Sequence, residues 1–431
     1  MFAVLSCVVT IGLVAWPGPA ASADGPADPV SRLQAAQTAA LAGSPALRAE
    51  LAELTAAAAA NRLEAASGSP YLEWQSEGLG SSGRQPNGAD YLRLGTPFNL
   101  PGQIGRARQL VRSAQGWVSV AQDVATVNTV AEASRRWLVL AAAIELEALS
   151  EARMERLDTA LNLQEARYQL GEIAGTEVRQ LDLEHVSESS RLASLRSRRL
   201  AAEAFLAELC GEGRTEAREG DLAALVSESS TPDADRLSAE GLGQGPVLRR
   251  VEGDAELAQA NADLAAATAW GRAEVEAEWE RVPALEGLPS YDAWGFRIAV
   301  PLPVGAAGHR QREEARARAD QADAELHAAR RRVRRTAEQA LADAESARDR
   351  LRALEPALAD LSFMDHSLAE QFRLGSISYL AYIDGLSRFD RIVEEAVNAR
   401  LTLLEARLEL AVLLGDPTVF PMTDANPVEE D

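Results

Sequence analysis

The sequence predicts a mainly α fold with a small β part, in which one unit, a long helical hairpin attached to a β-hairpin, occurs twice. Three observations predict it. Pro97 and Arg106 recur as Pro301 and Arg310, while Tyr168, Leu170, Gly171 and Ile173 recur as Phe372, Leu374, Gly375 and Ile377, every pair 204 residues apart. Ser44-Pro45-Ala46-Leu47-Arg48 is answered by Gly245-Pro246-Val247-Leu248-Arg249 at an offset of 201, so the copies differ slightly in length. Between these landmarks the apolar residues alternate with period two in short paired stretches and follow helical or heptad spacing elsewhere. Each copy is one structural unit, and function gathers where copies meet.

Composition agrees with packed helices. Of 431 residues 47% are hydrophobic but only 5% aromatic, and every basic residue is Arg. A net charge of -22 opposes nucleic-acid binding, and no basic stripe stands as an exception. Phe2 to Trp16 is an apolar run followed by Pro17-Gly18-Pro19 and Ala21-Ser22-Ala23, so residues 1–23 read as a signal peptide cleaved before Asp24, though without a positive n-region. Cys7 leaves with that segment unless it is an acylated lipoprotein residue, and Cys210 then has no partner for a disulfide. No later run reaches the ~18 apolar residues of a spanning helix. Export without a helical anchor is expected.

The first repeat covers 24–210. Ser44-Pro45 suits an N-cap with Pro in the first helical position, and the Ala-rich helix runs to about Ala66 before Gly68 and Pro70. A β-hairpin follows over 70–97: Leu72 and Trp74 oppose Glu73 and Gln75, turn residues fill Ser81 to Gly88, and Leu92 and Leu94 oppose Arg93. The proline-free stretch from Gly102 to Gln169 reads as a single helix of about 100 Å. Gly171 and Gly175 end it, and its partner runs from Thr176 to Leu209, closing the helical hairpin 102–209. Residues 211–245 form a linking segment with one short helix near Asp221 to Val226.

The second repeat covers 246–415. In its β-hairpin, 272–300, Ala273, Val275, Ala277 and Trp279 alternate with Glu274, Glu276, Glu278 and Glu280, and Trp294, Phe296 and Ile298 line the return strand. The helical hairpin 305–414 opens with a helix expected from Gly305 to Arg373. It carries an apolar residue every seven positions from Leu326 through Val333, Ala340, Ala347, Leu354 and Leu361 to Leu368, which is coiled-coil periodicity. Pro356 should bend it. A last helix, Ile377 to Leu414, precedes an acidic tail, 416–431.

Each strand has one apolar and one charged face and about the length of a tilted transmembrane strand, roughly 9 to 11 residues. Trp74, Trp279 and Trp294, with Tyr71, Tyr91 and Tyr291, are three of seven Trp and three of six Tyr, as in the aromatic girdles of outer-membrane barrels. A soluble hairpin with one solvated face is the alternative. Four strands cannot close a barrel, and an open edge in lipid leaves backbone groups unpaired. If the strands span a bilayer, several chains share one barrel, and Glu274, Glu276 and Glu278 line its lumen. The long Ala-rich helices likewise need lateral neighbours.

The ordered, duplicated set of landmarks resembles TolC-type outer-membrane efflux proteins over nearly the whole chain, Leu33 to Asp416. The residues carrying this are Ser44-Pro45-Ala46-Leu47, Val300-Pro301-Leu302-Pro303, Arg167-Tyr168-Gln169-Leu170-Gly171 with Glu177-Val178, and Phe372-Arg373-Leu374-Gly375-Ser376-Ile377-Ser378. Gly375 to Ser378 leading into Tyr382-Ile383-Asp384 is similar to the heavy-metal branch of the CzcC and CusC kind. The resemblance implies a homotrimer with a shared twelve-stranded β-barrel in the outer membrane and an α-barrel crossing the periplasm. It implies no cofactor. Its partners would be a periplasmic adaptor and an inner-membrane pump of the RND type, with efflux of heavy-metal ions or, alternatively, export of drugs or type I secretion substrates. The turns at Tyr168, Leu170, Gly171, Ile173, Phe372, Leu374, Gly375 and Ile377 would be the periplasmic tips that meet the adaptor. In the best-known member an acidic pair at the sixth and ninth positions after the second tip glycine constricts the channel. Here those positions are Ala381 and Asp384, so only Asp384 carries over as a gate residue, and Arg388 at i+4 offers it an ordinary surface partner.

Two rival classes fit less well. An enzyme finds no support in four scattered His, with no HExxH, Cys pair, nucleophile elbow or phosphate loop. A periplasmic adaptor has one helical hairpin beside a lipoyl-like domain, whereas this chain alternates two hairpins of helices with two of strands.

Overall fold

A computed structural model describes residues 28–423 apart from 67, 78, 81–82, 85–88, 212–215, 233, 270, 283, 285–288 and 301–305. The signal segment, Cys7, the tail beyond 423 and Pro301 to Pro303 lie outside the described residues. Helices α1 (Pro29–Gly43) and α2 (Pro45–Ala65) precede strand β1 (Tyr71–Ser76), the two-residue ladder of β2 (Leu79–Gly80) and β3 (Gly83–Arg84), and β4 (Asp90–Phe98). The first helical hairpin is α3 (Pro101–Gln169) and α4 (Gly175–Cys210). The linking segment holds α5 (Asp221–Glu228), a 3-10 turn (Ala234–Leu237) and α6 (Ala239–Gly243). The series then repeats as α7 (Pro246–Thr268), β5 (Ala273–Val282), β6 (Tyr291–Ala299), α8 (Ala306–Ala359), α9 (Leu361–Arg373) and α10 (Tyr379–Leu414).

Three expectations need correction. Helix α1 lies within 24–210, ahead of the Ser44-Pro45 start, and was not expected; Gln37 anchors it by donating to Ser134 Oγ at 2.9 Å and to the Pro421 carbonyl at 3.0 Å. The helix expected over 305–373 is two helices, parted at Asp360. Pro356 lacks the N–H that would continue the ladder, and within one turn of it the helix is interrupted at the single residue Asp360, whose N–H still donates to the Pro356 carbonyl at 3.3 Å. The equivalent position of the first copy is Ala152, and α3 runs unbroken. Finally, β4 continues through Pro97 to Phe98. Proline is tolerated there because β1 has already ended opposite Gly95, which leaves that side of Pro97 without a ladder.

The two hairpins join into one antiparallel sheet in the order β1-β4-β5-β6, with β1 and β6 as open edges. Register places Leu72, Leu94, Ala277 and Phe296 in one row and Trp74, Leu92, Trp279 and Trp294 in the next, all on one face. That face is uncovered: Leu72 is 68% exposed, Trp294 72% and Phe296 80%. The opposite face aligns Tyr71, Gly95, Glu276 and Arg297, then Glu73, Arg93, Glu278 and Gly295, with Glu274 beside Pro97. Glu276 accepts from Tyr71 and Arg297, and Arg93 lies 3.6 Å from Glu278. Gly95 makes this possible, since a Cβ there would stand 2.3 Å from the Tyr71 ring that crosses it.

Helix α3, and α8 continued by α9, run the length of the remainder. Near the strands the packing order is α2, α3, α7, α8; toward the far end it is α4, α3, α10 and α8 with α9. The heptad residues Leu326, Val333, Ala340 and Ala347 are buried as expected. At mid-length the linking segment is clamped: Asp221 pairs with Arg32, the Glu145 carboxylate accepts from the Gly220 N–H at 3.2 Å, and buried Arg407 donates to the Val226 carbonyl at 2.9 Å and Ser229 Oγ at 2.7 Å. Burial pushes the Glu145 carboxyl up against the opposing Arg400, and pushes the Arg407 guanidinium down. Among the described residues no helix is long and apolar enough to cross a membrane.

The repeat has one informative asymmetry at its start. Ser44 caps α2 by accepting from the Leu47 N–H at 3.2 Å, whereas its counterpart Gly245 has no room for a side chain: a Cβ would meet the Leu413 carbonyl oxygen at 1.9 Å. Gly245→Ser, which restores the first copy's capping residue, is therefore expected to destabilise by about 2 kcal/mol instead of stabilising, read from denaturant unfolding followed by helical circular dichroism.

Candidate functional site at the helical tips

Both helical hairpins reverse through the same capping geometry. Gly171 has φ +74° and Gly375 φ +72°, a left-handed conformation that costs a side-chain-bearing residue about 1–2 kcal/mol. The Gly171 N–H donates to the Tyr168 carbonyl and the Glu172 N–H to that of Arg167, both at 2.9 Å; Gly375 and Ser376 repeat the pattern on Phe372 and Gln371 at 3.0 and 2.9 Å. This is the Schellman motif, and it satisfies the last carbonyls of α3 and α9. Ser378 then caps α10 by accepting from the Ala381 N–H at 3.3 Å. Sequence reasoning identified both turns because their glycines repeat.

The tip residues divide into apex and base. Leu170 is 75% exposed and Leu374 68%, and Tyr168 is exposed beside Gly175. Phe372, the counterpart of Tyr168, is buried and stacks on Tyr382 with centroids 4.4 Å apart. Ile377 packs on this base with Leu157, Leu181, Tyr379 and Leu386, while Ile173 is half-buried. The divergence follows from the neighbouring residue: where the first copy has Gly175, the second has Tyr379, whose ring helps to fill the base. Asp384 is exposed and pairs with Arg388 at 2.8 Å.

Charged residues that were not singled out from sequence hold the two tips together. Arg167 donates across to the carbonyls of Phe372 (3.2 Å) and Arg373 (2.9 Å), and its guanidinium lies 5.7 Å from the Phe372 ring centre. Three to four helical turns further from the tips, Asp390 is buried and accepts from Arg153 at 2.9 Å and Arg156 at 3.0 Å. Arg156 also reaches Asp365 at 3.2 Å, and Arg153 reaches Glu188 at 3.2 Å. Ser150 donates to Glu188, and Arg191 reaches Glu394 at 2.8 Å, so the network spans α3, α4, α9 and α10. Burial pushes the Asp390 carboxyl up, opposed by Arg156 and Arg153. The available signal was Asp390 itself, a carboxylate on the apolar face of α10 directly after Phe389 and four residues past Leu386.

His185 bonds to exposed Asp158 at 2.8 Å, His327 lies 3.6 Å from Asp323, and among the described residues no group of His, Cys, Asp or Glu could hold a metal ion. What the site presents is a pair of rigid apices, each topped by an exposed Leu.

Asp390→Ala leaves two part-buried guanidinium groups without their shared acceptor and should cost about 3–5 kcal/mol, measured by thermal unfolding, with faster amide exchange in α9 and α10. Asp384→Asn should change stability by less than about 0.5 kcal/mol, because its pair is exposed.

No protein-family model matches the sequence, and no curated protein matches it. Solved structures do. A structure of CusC, described for conformational changes accompanying folding and transmembrane channel formation, has TM-score 0.73 at 17% identity, covering 91% of this chain and 98% of that one. The outer-membrane channel OprN has TM-score 0.73 at 19% identity over 90% of each chain. The outer membrane protein VceC from Vibrio cholerae has TM-score 0.68 at 18% identity, covering 89% of this chain and 96% of its own. The chain has the fold of these outer-membrane channels, as its resemblance to TolC-type proteins implied.

Proposed function

We propose that the chain is the outer-membrane channel of a tripartite efflux system, a passive conduit built from three copies. The observation that carries this reading is the sheet: three strands of transmembrane length, β4, β5 and β6, and a shorter edge strand β1, with an uncovered apolar face, a charged opposite face and two open edges. Lipid suits the first face, water the second, and only further copies of the sheet can satisfy the edges. Three copies would make twelve strands, with Glu274, Glu276 and Glu278 toward the lumen and α3, α4, α8, α9 and α10 forming a tube below. In this reading the chain is exported and resides in the outer membrane, reaching into the periplasm.

The tips are the docking point for a periplasmic adaptor that links the channel to an inner-membrane pump. Their Schellman turns present Leu170 and Leu374, which no described residue covers, and the base residues Phe372 and Ile377 support them. Asp384 stands nine residues past Gly375, about one and a half turns into α10, where three symmetry-related copies would ring the channel. A ring of carboxylates favours cations, which accords with heavy-metal ions as cargo. The similarity of Gly375 to Ser378 to the heavy-metal branch supports the same cargo.

Membrane fractionation with native mass spectrometry in detergent tests the reading; a soluble periplasmic monomer would overturn it. Gly375→Arg should abolish adaptor-dependent efflux while assembled copies persist in the membrane. In planar bilayers Asp384→Asn should lower cation selectivity, and unchanged conductance and selectivity would leave Asp384 as a surface residue paired with Arg388.

A further inference from the structure

The arginines that follow the strands are duplicated with the rest of the unit. Arg106, Arg108 and Arg112 of α3 recur as Arg310, Arg312 and Arg316 of α8, each pair 204 residues apart, where the two helices leave the sheet. Nothing within the helices favours them there. Arg108 with Arg112, and Arg312 with Arg316, are like-charge pairs at i,i+4, which destabilise a helix. From Pro101 to Gln122 α3 has no carboxylate at all, in a chain of net charge -22. Arg106 is taken up by Asp263 at 2.6 Å, but Arg108, Arg112, Arg312 and Arg316 form no ion pair among the described residues. Two nearby carboxylates go elsewhere: Glu314 pairs with Arg318 at 2.6 Å, and Glu252, which shares a groove with Arg112, pairs with Arg330 at 2.9 Å. Glu256 in that groove and Glu313 on α8 form no ion pair among the described residues.

On α3 Arg108 and Arg112 are exposed, away from the buried stripe of Gln103, Ala107, Leu110 and Ala114. Ala107 and Leu110 share one cluster with Ala65 of α2 and with Ala260 and Leu264 of α7. Both neighbouring helices therefore bend toward the buried side, and the arginines stand on the convex side of the layer, which is the outside of a ring built from such layers. With Arg62 of α2 they line a groove of about 890 Å³ that also takes in Asn99, Ile104 and Val111. The groove lies directly below the strands. Asn99 follows the last residue of β4, and Arg108 and Arg112 stand roughly 10 and 16 Å down α3, their side chains leaning back toward the helix N-terminus and so toward the sheet. Asn99 is buried, and its Nδ2 donates to the Ala65 carbonyl at 3.3 Å; this fixes the amide and leaves Oδ1 an acceptor without a partner among the described residues.

We infer that this arginine face binds the headgroup of an anionic phospholipid, of which phosphatidylglycerol is the simplest case, in the bilayer leaflet nearest the long helices. The inference rests on the outer-membrane reading above and adds to it a ligand and the site that holds it. Guanidinium forks match a phosphodiester, and basic residues beside a leaflet add together in binding anionic lipid. The glycerol hydroxyls of the headgroup supply the donor that Asn99 Oδ1 lacks. Ile104 and Val111 line the same groove and suit the start of the acyl chains, which continue onto the apolar face of the sheet, where Thr96, Val275 and Ile298 form the adjoining row. A soluble phosphate would use the arginines but not these apolar neighbours.

The test uses the full-length chain, purified in detergent and freed of native lipid. Phosphatidylglycerol or phosphatidylcholine is returned in mixed micelles, and the lipid retained is read by native mass spectrometry. Phosphatidylcholine has no net charge and no donor for Asn99. The parent chain should hold phosphatidylglycerol about tenfold more tightly, and the preference should fall as sodium chloride is raised. Arg108→Gln, Arg112→Gln, Arg312→Gln and Arg316→Gln together should abolish the preference while helical circular dichroism and the assembled mass stay as in the parent. If that chain does not assemble, the two pairwise variants, one on each helix, take its place, each expected to lower the preference about threefold. Equal retention of the two lipids by the parent, or an unchanged preference in the variants, overturns the inference and leaves the channel reading intact; a parent that is a soluble monomer overturns both. Glycerol phosphate, the same headgroup without acyl chains, should compete only weakly. Displacement of the lipid by an equal concentration of it would assign the arginines to a soluble anion and overturn the inference.

Discussion

A β-sheet with two open edges and one uncovered apolar face is a demand that one chain cannot meet. Each edge presents backbone N–H and C=O groups that must pair, and the face presents Leu72, Trp74, Leu94, Trp294, Phe296 and Ile298, which water does not favour. The rest of the molecule is arranged consistently with that demand. Its helices form a layer whose own edges are also unpartnered, and α3 carries that layer about 100 Å from the strands. Duplication is the economical route to such a structure, because each copy supplies one hairpin of strands and one of helices in the same order.

Packing within the layer is graded. The mid-length core around Trp137, Leu404, Leu408 and Phe420 is dense and apolar, and the linking segment is bound to it by Asp221, Glu145 and Arg407. Toward the tips the apolar seam thins to a small cluster, and buried charge takes over the task of joining the hairpins. Such a network is weak evidence for stability, since desolvation of Asp390 opposes its pairing. It does impose a single registration of α3 and α4 on α9 and α10, and Arg167 extends that registration to the turns themselves. The apices are thereby held in fixed relation, as a docking surface for a partner requires.

Much of this was legible in the sequence for identifiable reasons. The Glu alternation from 274 to 280 excludes a helix, Gly171 and Gly375 mark reversals only because each follows a long helical run, and the proline-free stretch from 102 leaves α3 no place to break. Helix α1 was missed because Ser44-Pro45 is so good a start signal that the first helix was placed there and the residues from Asp24 to Gly43 were assigned no element. The break at Asp360 was read only as a bend, since the sequence shows the lost hydrogen bond at Pro356 but not whether neighbouring helices hold the next turn in line.

The sequence by itself determined the elements, their duplication, the two-faced strands and the tip turns, because these depend on period and on local backbone preference. Only the tertiary structure decided that β4 joins β5, so that two hairpins become one sheet, and that α4 and α8 stand at opposite edges of one layer. It alone brought Arg153 and Arg156 to Asp390, and Arg167 to the carbonyls of the other tip, across separations of more than 200 residues. Contacts over such distances along the chain leave no local pattern, since each partner by itself is an ordinary charged residue on a helix.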